Sequence, residues 1–458
     1  MQRINGTKKP AGRRGLLLAG VLTVVVASAA MLFGGVLSSA HAPAPDAAPA
    51  AISPLAGRIP SLPAARNTAG VILRLQARLR VRRDDPDNLT LLGLEYEQRA
   101  RETGDPSYYP KAEGVLREAL ALAPESPLAE SGLASLALSR HRFRDGLALG
   151  RTAVAAGVRA GAPAAIQSRN WGIVGDALVE LGRYRAAFAA FDRMTRLDPG
   201  LAAYSRISYA RELAGHPGAA VAPMKAAVDA SNGEPEPLAW TSVQLGKLYW
   251  AVGKIGPAAA AYRRALDAFP AYVFGLDALA QVEAARGRLV RAIALERRAV
   301  ARVPLPQFVA ALGDLYALSG RRALAQRQYA LMDVIRRLLN ANGVKTDLEL
   351  ALFQADHTIR LPQALRLARL AYRDRPSIDG EDVLAWALER NGRCAEALPH
   401  SERALRLGTK DALKYFHRGM IERCLGHRRV ARLWLRRALE LNPHFSLLWA
   451  PVARRLGG

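Results

Sequence analysis

The chain is short of several things. Its 458 residues include two cysteines, Cys394 and Cys424, and nine lysines. Two cysteines are too few for a disulfide-built scaffold or a cysteine-only zinc site. Aromatic residues make up 6% of the chain, and no convincing apolar–polar alternation marks a run of strands. There is no phosphate-cradling glycine loop, no His-Glu-x-x-His zinc helix and no strand–turn–helix nucleophile elbow. Acidic residues are outnumbered by basic ones, 40 to 65, for a formal charge of +25, and 56 of the basic residues are arginines. Half of the residues are hydrophobic, which excludes a mostly disordered chain.

Residues 1–40 carry five basic residues and no acid, and 23 uncharged, mostly apolar residues run from Gly15 to Leu37. As a helix that run rises about 34 Å, enough to cross a hydrocarbon core of about 30 Å. Ser38-Ser39-Ala40 and Ala40-His41-Ala42 also offer the small residues a signal peptidase prefers. Residues 1–40 are therefore expected to be a signal peptide or an uncleaved signal anchor helix. Everything beyond would be exported, anchored to the cytoplasmic membrane or secreted if the signal is cleaved. Residues 41–66, rich in proline and alanine, are expected to form an extended linker.

From about residue 84 the pattern is helix, short break, helix. Gly175, Ser208, Gly246, Ala280, Gly313, Leu352, Ala385 and Gly419 hold one slot of it, at intervals of 33 to 39 residues. A second helix follows each, with a small residue twelve positions later. A period near 34 means stacked helix pairs, none able to bury its apolar face alone.

The clearest unit is Trp171-Gly172-Ile173-Val174-Gly175-Asp176-Ala177-Leu178, followed by Gly182, Tyr184, Ala187, Phe191, Met194 and Pro199. It resembles the tetratricopeptide repeat, and the units around Gly246 and Gly313 match it almost term for term. The resemblance covers residues 84–444 and implies an all-α fold, an α-α superhelix after the N-terminal export or transmembrane helix. Residues 67–170 are expected to hold irregular N-terminal helical repeats, 171–344 regular repeats, and 345–458 the C-terminal repeats and a capping helix.

Candidates for chemistry are few. Asp356-His357, with Glu349 and Glu389 nearby, could bind a metal or shuttle protons. Adjacent helical residues, however, point about 100° apart and cannot chelate as one face. A solvated or hydrogen-bonded structural role is the competing reading. No catalytic residue, metal or cofactor is expected. In the repeat register Cys394 opens a second helix and Cys424 ends the first helix of the next unit. Antiparallel packing brings those ends together, as a disulfide or as two separate buried thiols.

The resemblance further implies binding of extended peptides or partner helices on the concave face, lined by the first helix of each repeat. The stripe three before, one after and four after each small residue holds eight acids and two basic residues. The expected groove residues are Tyr209, Trp250, Asp277, Asp314 and Glu349, continuing with Phe353, Asp356, Asp382, Trp386 and Glu389. Arg263-Arg264, Arg297-Arg298 and Arg436-Arg437 lie on second helices and should face outward. The expected function is a non-catalytic envelope scaffold that takes a cationic or amphipathic segment of a protein or peptide partner. Two alternatives stand beside it: binding of anionic lipid or cell-wall polymer through the outer arginines, and an accessory metal or enzyme role around Asp356 and His357. Nucleic acid is not an expected partner, because export argues against it.

Overall fold

The computed structural model describes residues 68–457; the expected export segment and linker lie outside the described residues. Among the described residues there are 22 helices and no strand. None of these helices is long and apolar enough to cross a membrane.

After α1 (Thr68–Val81) the helices form antiparallel pairs. The first are α2 (Pro86–Thr103) with α3 (Tyr108–Leu122), α4 (Pro127–Ser139) with α5 (Phe143–Arg159), and α6 (Ala164–Glu180) with α7 (Tyr184–Leu197). Next come α8 (Leu201–Leu213) with α9 (Pro217–Asp229), α10 (Pro235–Ala251) with α11 (Ile255–Ala268), and α12 (Val273–Ala285) with α13 (Leu289–Arg302). The series continues with α14 (Pro306–Leu318) and α15 (Arg322–Ala341), α16 (Asp347–Asp356) and α17 (Leu361–Asp374), and α18 (Ile378–Arg390) and α19 (Cys394–Ala404). It closes with α20 (Ala412–Cys424), α21 (Arg428–Leu441) and the short α22 (Trp449–Gly457).

The slot residue is small because a large side chain from the paired helix, sixteen positions later, lies on it. A methyl group at Gly246 would overlap the Tyr262 ring, and one at Gly313 the Tyr329 ring. The alanines twelve positions after the slot, such as Ala187, Ala258 and Ala364, are fully buried where the helices cross. The exceptions obey the same rule of volume. Leu352 fills the slot with a large side chain, and the position sixteen later is then Ala368, fully buried. Ser208 donates its hydroxyl to Ala220 O at 2.8 Å. The two long intervals also have local causes. One is the turn Ala230–Glu234, with Asn232 and Gly233 both at positive φ. The other is the 20-residue length of α15.

Successive turns of the spiral touch. Arg375, just past α17, makes a bidentate ion pair with Glu180 at the end of α6, with Nη2 3.1 Å from Oε1. Ile378 N donates to the Tyr184 hydroxyl at 2.7 Å, Thr409 Oγ1 to Leu213 O, and Asn442 Nδ2 to Trp250 O at 2.8 Å. His141 Nδ1 lies 2.6 Å from Lys345 O. These partners are 192 to 204 residues apart, roughly six repeats of ~34 residues. The turns approach so closely that Gly182 and Gly215, in left-handed turns, would drive a side chain into Pro376 O and Gly408 O. The concave surface is therefore the wall of a narrow interior, not an open trough.

Candidate functional site

Where α8 and α10 face the segment before α20, the seam leaves a cavity of about 340 Å³. Tyr209, Trp240, Trp250 and Phe445 give it aromatic walls. Its charged groups are Glu212, Asp379 and Asp411 against Lys247, Lys410 and Lys414. Lys414 Nζ is 2.8 Å from Asp379 Oδ1 and 2.6 Å from Asp411 Oδ2. Removal from bulk water pushes both carboxyls up, but the neighbouring ammonium prevails and holds both below the usual carboxylate range. Asp411 also caps α20, accepting from Leu413 N at 2.9 Å and Lys414 N at 3.1 Å.

On the other wall, burial pushes the Glu212 carboxyl up to about 7, with Lys247 acting against it. Burial likewise pushes Asp277, which accepts from Gln281 Nε2 at 3.1 Å, up to about 6. The sequence suggested an acid-dominated groove. The cavity instead balances three carboxyl groups with three lysines, because four of its charged residues, Asp379, Lys410, Asp411 and Lys414, come from the next turn of the spiral.

Other expected groove residues are already engaged inside the chain. Asp176, one after the slot residue Gly175 and so on the same stripe, holds Arg206 in a buried bidentate pair, at 2.9 and 2.6 Å. Asp314 Oδ1 accepts from the Tyr329 hydroxyl and lies against His357 Nε2, both at 2.7 Å. Phe353 is buried beside Tyr329 and His357. Glu349 lies 3.4 Å from Arg375 at the seam. Asp382 Oδ2 lies 3.0 Å from His417 Nδ1, whose ring stacks on Trp386. Burial works against the imidazolium at His357 and at His417, yet Asp314 and Asp382 hold the two pKa values above the usual one. Glu389 is half-buried, and its Oε2 has no hydrogen-bond partner.

Trp386 is fully buried, which corrects its reading as an open groove anchor, and Phe416 is fully buried beside it. Trp449 of α22 covers both, with ring centroids 5.4 Å from each. Asp356 Oδ1 accepts the indole N–H of Trp386 at 2.9 Å and that of Trp449 at 2.8 Å. Asp356 and His357 do point apart: the histidine turns to Asp314 and donates from Nδ1 to Phe353 O at 2.8 Å. Among the described residues no three His, Cys, Asp or Glu side chains are placed to hold a metal ion. Cys394 and Cys424 form a disulfide with Cα atoms 6.1 Å apart.

The sequence reading missed Lys414, Asp411, Arg375 and Trp449, whose roles depend on contacts across the seam or the interior. It also passed over Glu296, where a signal was present. Glu296 stands sixteen after Ala280, where Phe191, Tyr262 and Tyr329 stand in other units. It is fully buried with neither carboxyl oxygen hydrogen-bonded, and burial raises its pKa well above the usual value.

Residues 242–272, covering most of α10 and α11, match the family model of the tetratricopeptide repeat. That hairpin is similar to a tetratricopeptide repeat. Helical hairpins recur from α2 to α21, so the described chain is an all-α solenoid of stacked hairpins. Similar solved structures include the APC/C hetero-tetramer Cut9–Hcn1, at 13% identity over 85% of this chain and 93% of that one, TM-score 0.36. MamA aligns at 18% identity over 37% of this chain and 94% of its own, TM-score 0.28. A tetratricopeptide repeat protein from Parabacteroides merdae ATCC 43184 aligns at 18% identity over 56% of this chain and 97% of its own, TM-score 0.32. No curated protein matches the chain. Tetratricopeptide repeat solenoids are typically non-catalytic scaffolds for protein–protein interaction.

Proposed function

We propose that this protein is an exported scaffold of the cell envelope that binds a segment of a partner protein in its interior, at the cavity beside Tyr209 and Trp250. The observation that carries the reading is the cavity itself, with aromatic walls and charges of both signs. An amphipathic segment fits such a lining: rings take its apolar side chains, Glu212 a cation, and Lys247 and Lys410 its anions. A purely cationic segment fits less well, because Lys414 and its two carboxylates already satisfy one another. Export rests on the basic, then apolar, first forty residues.

Capture from envelope extract, with the wild-type chain and Trp250→Ala side by side, tests this. One partner should be held by the wild type at physiological salt and lost by at least tenfold in the variant. Equal retention by both would contradict the reading. The exposed pairs Arg263-Arg264, Arg297-Arg298 and Arg436-Arg437 support a second reading, adhesion to anionic lipid or wall polymer. That binding would fall steeply between low and physiological salt and be indifferent to Trp250→Ala.

A further inference from the structure

The C-terminal segment sits in the interior as a bound peptide would. Trp449 touches three successive first helices: its indole N–H donates to Asp356 at the end of α16, and its ring packs on Trp386 of α18 and Phe416 of α20. The Arg390 guanidinium lies over both indoles, 5.3 Å from the Trp386 centroid and 5.6 Å from that of Trp449. A helix that only capped the stack would need to cover apolar surface. This one adds a directional hydrogen bond to a carboxylate three hairpins back in the chain.

The site also states what it accepts. Asp356 lies among aromatic rings, where a carboxylate without donors is costly. Tryptophan alone among side chains joins a large flat apolar body to an N–H donor and has no acceptor to clash with a carboxylate. The flat faces and edges of Trp386 and Phe416 set the plane in which that indole lies. Its other contacts are mostly apolar packing: Ala450 and Ala453 are buried, and Val452 and Leu456 lie in the cluster that holds Leu435 and Ala438 of α21. Asn442 anchors its start to Trp250 O, α22 is nine residues long, and Arg454 and Arg455 at its end are exposed.

We propose that α22 is an internal ligand of the concave surface, and that the indole site of Asp356, Trp386 and Phe416 accepts a tryptophan-bearing segment of a partner protein when α22 withdraws. This rests on the reading that the interior binds polypeptide segments, although it uses a different place from the Tyr209–Trp250 cavity. The test uses the full-length chain and, as probe, a dye-labelled synthetic peptide of residues 443–458. The Trp449→Ala chain should bind the peptide at least tenfold more tightly than the wild type does. A peptide with alanine at the tryptophan position should bind neither chain, and adding Asp356→Leu to the Trp449→Ala chain should abolish binding. Equal binding to both chains, or no binding to a folded Trp449→Ala chain, would overturn the proposal. Should that variant fail to fold, hydrogen exchange on the wild type decides. The α22 amides should exchange at least tenfold faster than those of α18 and α20; exchange in step with them refutes withdrawal. Neither result depends on Trp250, so failure here leaves the cavity test intact.

Discussion

Two stretches of the same interior use the same stripe of positions differently. Along α8 to α12, Tyr209, Glu212, Lys247 and Trp250 face a cavity. Along α16 to α20, Asp356, Asp382, Trp386 and Phe416 are consumed by partners within the chain. The repeats are the same kind of hairpin in both. What differs is what covers them: loops of the next turn over the first stretch, the chain's own C-terminal helix over the second. A position in the repeat register thus says which way a side chain faces, not whether anything is free to meet it.

The comparison can be broken most forcefully at the seam that borders both stretches. Arg375→Ala should cost about 3–5 kcal/mol, because it leaves the Glu180 carboxylate buried without its cation, and chemical denaturation measures that loss. Reducing the Cys394–Cys424 bond acts on the second stretch alone. In the chain-entropy model a bond closing a loop of about 30 residues contributes about 3–4 kcal/mol. Hydrogen exchange should therefore quicken in α18 to α21 and hold steady in α8 to α10. Glu296→Leu acts beside the first stretch in the opposite sense: relieving a buried carboxyl without hydrogen bonds should raise stability by about 1–3 kcal/mol, seen as a higher Tm.

The smallest effect is on pH dependence. Folding raises Glu212 from 4.5 to about 7 and Asp277 from 3.8 to about 6. The folded form binds these protons more tightly, so this contribution is complete at low pH and is lost as pH rises through those windows. Asp379 and Asp411 shift downward, so their contribution is present above the ordinary carboxylate range and is lost in acid. Exchange protection of α12 should therefore be greater at pH 5 than at pH 8, while the Asp379–Lys414–Asp411 cluster shows no such gain. Protection of α12 that is flat across that range would remove the distinction.

Much of the fold was legible because it is local. The slot residues, the alanines twelve later and the prolines just past the second helices, such as Pro199, lie within one hairpin, and the swap of Leu352 with Ala368 follows the same volume rule. The register also put Tyr209 and Trp250 on the inner face. The seam was not legible. Arg375 and Glu180 are 195 residues apart, and each looks like an ordinary charged residue at a helix end. Trp386 looked like an open anchor for the same reason: nothing near it in the chain announces Trp449.

The touching of successive turns is the claim on which the closed interior, the cavity and the covered indole site all stand. A double-mutant cycle with Glu180→Gln and Arg375→Met, followed by urea denaturation, tests it most directly. Turns in contact predict a coupling energy of about 1–3 kcal/mol between the two positions. Additivity within about 0.3 kcal/mol would contradict it, since it would mean the two side chains do not meet in solution.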